Sequence, residues 1–182
     1  VPDARLQPLA AIAGSEKILP ATVEFVDIAG LVAGASKGEG LGNKFLANIR
    51  ETHAIAHVVR CFENDDVVHV AGRIDPIHDI EIINTELLLA DLSGVEKAAD
   101  KAEKAAKAGK KEDIARRDLL QKLRAHLDAG QPARTFPVPD EHRQAIAEMF
   151  LLTAKPVMYV ANVDESGLGG NAFVDQVRAH AL

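Results

Sequence analysis

The chain has little of what extracellular and membrane proteins use. It contains one cysteine (Cys61), no tryptophan and one tyrosine, and aromatic residues make up 4% of its 182 residues. A single cysteine cannot form an internal disulfide, which fits a reducing compartment. No apolar run reaches the roughly 18 residues of a membrane span, and no signal peptide opens the sequence. These absences predict a cytoplasmic chain without a membrane partner.

An excess of positive charge is also missing. The 21 lysine and arginine residues stand against 27 aspartate and glutamate residues, which gives a net charge of -6. This balance argues against a protein coated in positive potential for nucleic acid, although it allows a local basic patch. The phosphate-binding pattern Gly-x-x-x-x-Gly-Lys-[Ser/Thr] occurs nowhere in the sequence. The backbone cradle that P-loop enzymes use for phosphates is therefore not encoded here.

The most informative feature that is present is an apolar run ending in Asp27. Gly30 completes an Asp-x-x-Gly pattern, and four more glycines follow by residue 42. An aspartate at the carboxyl end of a buried strand is where a P-loop NTPase holds magnesium, directly or through water. The glycine after it lets the backbone approach a terminal phosphate. The alternative is that Asp27 is a structural residue at a strand end.

Hydrophobic periodicity predicts strands that alternate with helices. Apolar runs predict strands over residues 22–28, 54–62 and 156–162. Helical spacing predicts helices over residues 41–52, 79–107, 112–129, 141–152 and 171–181. Strands that alternate with helices need crossover connections, which make neighbouring strands parallel. The predicted fold class is therefore α/β with a mostly parallel sheet.

Two long predicted helices in succession interrupt the alternation of strands and helices. Apolar residues recur at alternating spacings of four and three, which is a heptad seam, at Leu88, Leu92, Val95, Ala99, Ala102 and Ala106. Leucines at 120, 123 and 127 continue the seam on the second helix, and Gly109 separates the two. Two helices joined by one turn form an antiparallel hairpin. Their charged outer faces favour a hairpin that projects from the body, and the alternative is a helical pair folded onto the main core.

The Asp27 motif and its glycine-rich continuation resemble the third nucleotide-binding motif and second switch of the Obg-related NTPases. The resemblance is closest to the YchF / Obg-like ATPase branch. It implies the mostly parallel sheet of a P-loop NTPase (a G-domain) with an antiparallel coiled-coil insertion. Residues 1–80 and 138–182 would then form part of the nucleotide-binding domain, and residues 81–137 the insertion.

The resemblance extends from Pro2 to about Arg178 but covers only the middle of the family's length. It implies that the P-loop and first switch would precede Val1. The fifth motif and the family's TGS domain would follow Leu182. We therefore expect phosphate affinity to be severely reduced in the 182 residues alone, because backbone donors of the P-loop hold the phosphates.

The residue after Gly30 bears on how an attacking water would be held. Ras-like enzymes have a glutamine there, which orients the water, whereas this chain has Leu31, which offers no donor or acceptor. The segment from Cys61 to Asn64 and the loop after it match the family, in which a histidine at the position of His69 is regarded as catalytic. Histidine can orient water or shuttle a proton near neutral pH. The resemblance thus implies a catalytic His69, and the alternative is a solvated loop histidine.

A candidate base-reading motif, Asn162-Val163-Asp164-Glu165, follows the last predicted strand. In the guanine-specific form Asn-Lys-x-Asp, the aspartate accepts from guanine N–H groups that adenine does not have. Here Val163 replaces the lysine and Glu165 replaces the aspartate. A longer acid suits the exocyclic amine of adenine, and an apolar valine could cover the ring. The family's Asn-x-x-Glu motif is associated with ATP over GTP.

A basic cluster lies at the predicted hairpin tip. Lys107, Lys110, Lys111, Arg116 and Arg117 face only two acids between residues 107 and 117. The simplest interpretation is a solvent-exposed turn. A rigid helical hairpin on an otherwise acidic chain would, however, present this positive charge to a partner. YchF-like proteins are associated with ribosomes, so Lys110, Lys111, Arg116 and Arg117 are candidate contacts to ribosomal RNA.

The resemblance as a whole implies a ribosome-associated ATPase that uses Mg²⁺ and accepts ATP, with GTP possible. Two other functions remain open. One is an Obg-type GTPase on the same architecture. The other is a coiled-coil interaction module that does not depend on nucleotide.

Overall fold

The computed structural model describes residues 1–28, 41–64 and 74–182, and for residues 41–44 the backbone only. The described residues form a mixed α/β structure with a small parallel sheet and mostly helices. The helices are α1 (Leu6–Ala13), α2 (Leu41–Glu51), α3 (Pro76–Ala106), α4 (Lys111–Asp128), α5 (Arg143–Ala147) and α6 (Ala172–His180). The strands are β1 (Ile55–Arg60) and β2 (Val157–Asn162). Short 3-10 helices lie at Ala133–Thr135, Asp140–His142, Leu152–Ala154 and Glu165–Gly169.

The two strands pair in parallel, as the alternation of strands and helices predicted. Their register sets Ile55 opposite Val157 and Arg60 opposite Asn162. Parallel neighbours need a long crossover connection, and α3 and α4 lie within it. Both strands therefore end at the same edge of the sheet, where the Asn162 motif begins.

One face of this sheet forms a core, and the described residues leave the other face largely uncovered. On the covered face, Val59 packs with Ile80 of α3 and Val177 of α6. On the opposite face the side chains of Val58 and Met158 are 62% and 56% exposed. The alternation of buried and exposed residues along each strand follows from the two-residue period of a strand.

Helix α3 begins where its sequence gives two start signals. The Asp75 side chain accepts a hydrogen bond from the His78 N–H at 3.1 Å, and Pro76 occupies the first turn. A side-chain acceptor at the N-cap and a proline at the first position both stabilise a helix start. At the other end, Gly109 adopts a positive φ of 76° in the turn to α4, which a glycine adopts at little cost.

Helices α3 and α4 pack along the predicted seam, and we refer to them as the α3–α4 pair. Val95 shares a cluster with Leu123 and Leu127, whereas Ala99 and Ala102, further along α3, share one with Leu120. Later residues of α3 thus contact earlier residues of α4, so the two helices run antiparallel. Small alanines near the turn let the helices approach closely.

The first half of α3 belongs to the core of the sheet region. Ile80 packs under β1, and Leu87 and Ala90 join Leu46 and Ile49 of α2 in a second cluster. Helix α3 therefore passes through the predicted boundary between residues 80 and 81 without a break. The division into residues 1–80, 81–137 and 138–182 stays a prediction.

Two predicted elements are wrong. Residues 22–28 have no regular secondary structure, and the Phe25 side chain is 78% exposed. A strand needs a neighbour's backbone hydrogen bonds, and among the described residues only β1 and β2 pair as strands.

The helix predicted over residues 141–152 is also shorter than expected. The α-helical part, α5, ends at Ala147, and Phe150 has a positive φ of 50° that no helix accommodates. The N–H groups of Leu152 and Thr153 then bond to the Asp91 side chain of α3 instead of to a helix of their own.

Candidate functional site

The predicted base-reading motif follows β2 directly, at the carboxyl edge of the sheet. The Asn162 carbonyl accepts a hydrogen bond of 2.7 Å from the Cys61 N–H, which extends the strand pairing by one residue. The side chains of Asn162 and Glu165 are exposed, whereas Val163 is half-buried and packs against the core under the sheet. The carboxyl edge of a parallel sheet is where α/β proteins bind ligands. Asn162 and Glu165 are therefore the members of the motif that are free to contact one.

Two residues that were not among the predicted site residues hold this motif in place. The Asp164 carboxylate accepts from the Gly167 N–H at 2.8 Å and so caps the short 3-10 helix that contains Glu165. Asn171 caps α6 by accepting from the Val174 N–H at 2.9 Å, and its amide nitrogen donates to the Cys61 carbonyl at 2.8 Å. The N-cap pattern before residue 172 was a readable signal for Asn171. Its bond to the end of β1 was not readable, because that contact spans 110 residues.

Gly167 is required by the close packing of this turn. A Cβ atom on Gly167 would lie 3.0 Å from the Cβ of Val163 and 3.0 Å from the amide nitrogen of Asn171. Any larger residue would push the turn away from the end of β2. The backbone turn that follows Asn162 and contains Glu165 is therefore tightly packed.

Asp27, the candidate magnesium ligand, lies at the end of the irregular N-terminal segment. Its side chain is exposed, and neighbouring Ile28 packs against the cluster that contains Leu152 and Ile55. Ile55 opens β1 and Leu152 precedes β2, so this cluster lies toward the amino ends of the strands. The described contacts therefore do not bring Asp27 together with Asn162. The cause is the absence of the strand that was predicted to carry Asp27 into the sheet.

Asp27 offers a carboxylate, which is the ligand type expected in a magnesium site shared between a protein and a nucleotide. Mg²⁺ in nucleotide sites is held by one or two carboxylates, with phosphates and waters completing the shell. No carboxylate or imidazole cluster of three or more residues that could hold a metal occurs within residues 1–28, 41–64 and 74–182. A single exposed carboxylate fits an ion held mainly by phosphate and water, and does not fit a metal site built from protein alone.

Two predicted site residues, Gly30 and His69, lie outside the described residues, as does Leu31. Their predicted roles at the terminal phosphate and at the attacking water stay predictions. Cys61 begins the segment that leads to His69. It lies within the described residues and is fully buried beneath the sheet edge. Burial raises the pKa of its thiol, so it is a packing residue there and not a reactive thiolate.

The four basic residues predicted to bind a partner surround the turn of the α3–α4 pair. Lys110, Lys111 and Arg116 are exposed. Arg117 differs, because its guanidinium binds the Asp118 carboxylate at 2.6 Å and lies 3.9 Å from the Glu103 carboxylate. The charge of Arg117 is therefore balanced locally, and the other three offer the freer contacts.

A buried polar node (Asp91 with Leu152 and Thr153), next to the segment that leads into β2, was not anticipated from the sequence. The Asp91 carboxylate, on a residue only 1% exposed, accepts from the N–H groups of Leu152 and Thr153, both at 2.8 Å, and from the Thr153 hydroxyl at 2.7 Å. Burial raises the pKa of Asp91, while these hydrogen bonds act against the rise. Thr153 also accepts from the Ala133 N–H at 2.9 Å. The node thus joins three parts of the chain: α3, the segment after α4 that contains Ala133, and the segment leading into β2.

Lys155 extends this node to α2. Its ammonium group donates to the Arg50 carbonyl at 3.1 Å and to the Thr52 carbonyl, at the end of α2. A cation at a helix C-terminus satisfies carbonyls that have no partner within the helix. Burial lowers the pKa of Lys155, and the nearby Asp91 carboxylate opposes that shift. Residues 151–155 are therefore fixed on several sides before β2 begins.

Comparison with known proteins shows which class of protein the chain resembles. No family model matches the chain. A solved structure titled as the Schizosaccharomyces pombe YchF GTPase matches 98% of the chain and 50% of its own length, with a TM-score of 0.78 and 35% sequence identity. At that identity and coverage the likeness extends beyond the fold. The chain is thus homologous to a segment of an Obg-related NTPase.

Curated relatives narrow the class further. Proteins named "Ribosome-binding ATPase YchF" from Haemophilus influenzae and Escherichia coli O157:H7 are 57% and 53% identical to the chain over 178 residues, 98% of it. The protein of that name from Bacillus subtilis is 46% identical over 184 residues. The chain spans about half the length of the curated relatives it matches. Within its class the chain is homologous, along nearly all of its length, to the proteins named YchF, which confirms the resemblance.

No helix within the described ranges is both long enough and apolar enough to cross a membrane.

Proposed function

We propose that the chain carries the base-reading, magnesium-binding and water-positioning residues of a YchF-type ATPase that associates with ribosomes in the cytoplasm. The observation that supports this best is the Asn162-x-x-Glu165 motif at the carboxyl end of a parallel strand, held by Asp164 and Asn171. Ligand-binding residues of α/β proteins lie at that edge. The curated relatives carry the words ribosome-binding and ATPase in their names.

Each residue has a proposed role. Asp27 holds Mg²⁺, directly or through water, and the ion neutralises charge on the β- and γ-phosphates. Gly30 gives its backbone N–H to the terminal phosphate. His69 orients the attacking water or takes its proton, since Leu31 cannot do so. Asn162 and Glu165 recognise adenine.

The α3–α4 pair has the proposed role of a coiled-coil insertion that presents the basic turn to the ribosome. Its distal seam consists of Ala99, Ala102 and Leu120, and it has exposed charged side chains outside the seam. Lys110, Lys111 and Arg116 are the contacts to ribosomal RNA, with Arg117 contributing less because Asp118 and Glu103 already engage it. Residues 81–137 form this insertion, and the remainder forms part of the nucleotide-binding domain.

GTP is the second candidate nucleotide, because the solved structural neighbour is titled a GTPase. An Obg-type GTPase would use the same edge of the sheet and the same Asp27. An interaction module that works without nucleotide would depend only on the α3–α4 pair. The base-reading motif separates these possibilities, because only the ATPase proposal requires its glutamate.

Exchange of the motif tests the proposal in the full-length protein. Glu165→Asp with Val163→Lys restores the guanine-specific pattern and should shift the ratio of ATP to GTP affinity toward GTP. Because Val163 is half-buried, Glu165→Asp alone is measured beside the double variant to separate recognition from disturbed packing. Titration with fluorescent ATP and GTP analogues gives both affinities. An unchanged ratio in the double variant means that Asn162–Glu165 does not read the base.

A further inference from the structure

We propose that a row of three lysines on the outer face of α3 (Lys97, Lys101 and Lys104, the lysine row) binds the phosphate backbone of RNA and continues the basic turn toward the sheet. The inference rests on the proposed ribosomal role of the α3–α4 pair and extends it. It makes the contact surface a line along the helix and not a single point at the turn.

The spacing of these lysines sets them on one face. They follow one another at intervals of four and three residues, so at 3.6 residues per turn they lie within about 60° of one another around the helix. The buried seam at Val95, Ala99, Ala102 and Ala106 lies on the opposite side. The lysine row therefore faces directly away from α4, and all three side chains are exposed.

Three acids lie beside this row, and the structure pairs none of them with its lysines. Glu96, Asp100 and Glu103 follow the same intervals but lie on an adjacent flank of α3. Glu103 turns toward α4, where it accepts from the Gln121 amide at 3.0 Å and lies 3.9 Å from Arg117. Within the described parts of the chain, no lysine of the row has a carboxylate within the 4.0 Å of an ion pair. The row is thus a set of unpaired cations on a chain whose net charge is -6.

The shape of the row fits a nucleic-acid strand. At 1.5 Å per residue the three lysines extend over about 10 Å of helix axis, and Lys107, Lys110 and Lys111 carry the positive charge on into the turn. A single line of cations matches the repeated single charges of a phosphodiester backbone. Its acidic flank leaves the basic surface narrow, and residues 97–117 contain no aromatic side chain, so contact would be to phosphates and not to stacked bases.

The experiment compares three variants of the full-length protein. The first is Lys97→Gln/Lys101→Gln/Lys104→Gln, which keeps helix-forming side chains, and the second is the turn variant Lys110→Glu/Lys111→Glu. The third is a control with the same loss of three exposed cations elsewhere: Lys17→Gln, Arg143→Gln and Arg178→Gln. Far-UV circular dichroism checks that each variant keeps its helices. Binding to purified ribosomes and to protein-free ribosomal RNA is then measured across a series of KCl concentrations.

We expect the lysine-row variant to flatten the plot of log affinity against log salt. The loss should be about 0.7 per phosphate contact, or roughly 2 in total for three contacts to a single strand. The control should keep the wild-type slope. A lysine-row variant with wild-type affinity and slope, beside a turn variant that binds weakly, overturns the row and leaves the proposed ribosomal role standing. Wild-type protein that binds neither ribosomes nor ribosomal RNA at low salt overturns both.

The two probes separate RNA from protein as the partner. If the lysine-row variant loses affinity for ribosomes but binds protein-free ribosomal RNA as the wild type does, the row contacts an acidic ribosomal protein. That result contradicts the assignment to RNA. Parallel losses on both probes support it.

Discussion

At the scale of single residues, Asp91 joins two parts of the chain that are distant in sequence. Its carboxylate is the acceptor for two backbone N–H groups and one hydroxyl from a segment 61 and 62 residues away. Buried donors that lose their acceptor cost the full desolvation of each group. Asp91 therefore fixes the segment that leads into β2, and β2 in turn carries Asn162.

The first prediction is that Asp91→Asn destabilises the protein nearly as much as Asp91→Ala does. The asparagine amide must direct a donor at one of the N–H groups of Leu152 and Thr153, so one of them loses its acceptor. We expect a loss of about 2–5 kcal/mol in the free energy of unfolding, measured with urea. Asp100→Asn, on the exposed side of the same helix, is the control and should change it by less than about 0.5 kcal/mol. If Asp91→Asn has the stability of the wild type, the hydrogen bonds to Asp91 do not hold this segment.

Residues of the candidate site were predictable only where local sequence carries their chemistry. The Asn162–Glu165 motif was found because it follows an apolar run, and the structure does end β2 at Asn162. Asp91 was not found, because an aspartate in a long helix is usually exposed and its partners are remote in sequence. The contact of Asn171 with Cys61 was missed for the same reason.

At the scale of elements, the sequence predicts most reliably where one element is long and periodic. The helices α3 and α4 differ from their predicted ends by at most three residues, and β1 and β2 pair in parallel. The strand over residues 22–28 failed because apolar alternation shows that a segment could be covered but not that a partner lies beside it. The helix over residues 141–152 failed because the chain turns after Ala147, and the positive φ of Phe150 does not allow a helix to continue.

Another prediction concerns the seam of the α3–α4 pair. Leu123 is fully buried against Val95, so Leu123→Ala should cost about 2–5 kcal/mol through lost burial and a cavity. Because this seam joins the two helices, hydrogen exchange should accelerate over residues 97–127 and remain slow in β1 and β2. The exposed neighbour Arg124→Ala is the control and should leave exchange unchanged. Wild-type exchange in the Leu123→Ala variant would mean that contacts outside the seam hold α4.

At the scale of the whole molecule, the described residues form a parallel strand pair, which carries the Asn162–Glu165 motif at its carboxyl edge, and a long helical pair that shares α3 with it. The first half of α3 supports the sheet, and its second half carries the lysine row. The described residues do not bring Asp27 to the edge where Asn162 lies. The chain spans about half the length of its curated relatives, so assembly of the site is best tested in the full-length protein.

The most direct test of the account is the rate of ATP hydrolysis by full-length protein with His69→Ala. His69 is proposed to act on the attacking water, so the variant should turn over ATP about 10²–10⁴-fold more slowly at saturating ATP and Mg²⁺. Its affinity for ATP should be unchanged, because the role is confined to the transition state. The exposed His53→Ala variant serves as the control and should hydrolyse ATP at the wild-type rate. A wild-type rate in His69→Ala would contradict the proposed mechanism.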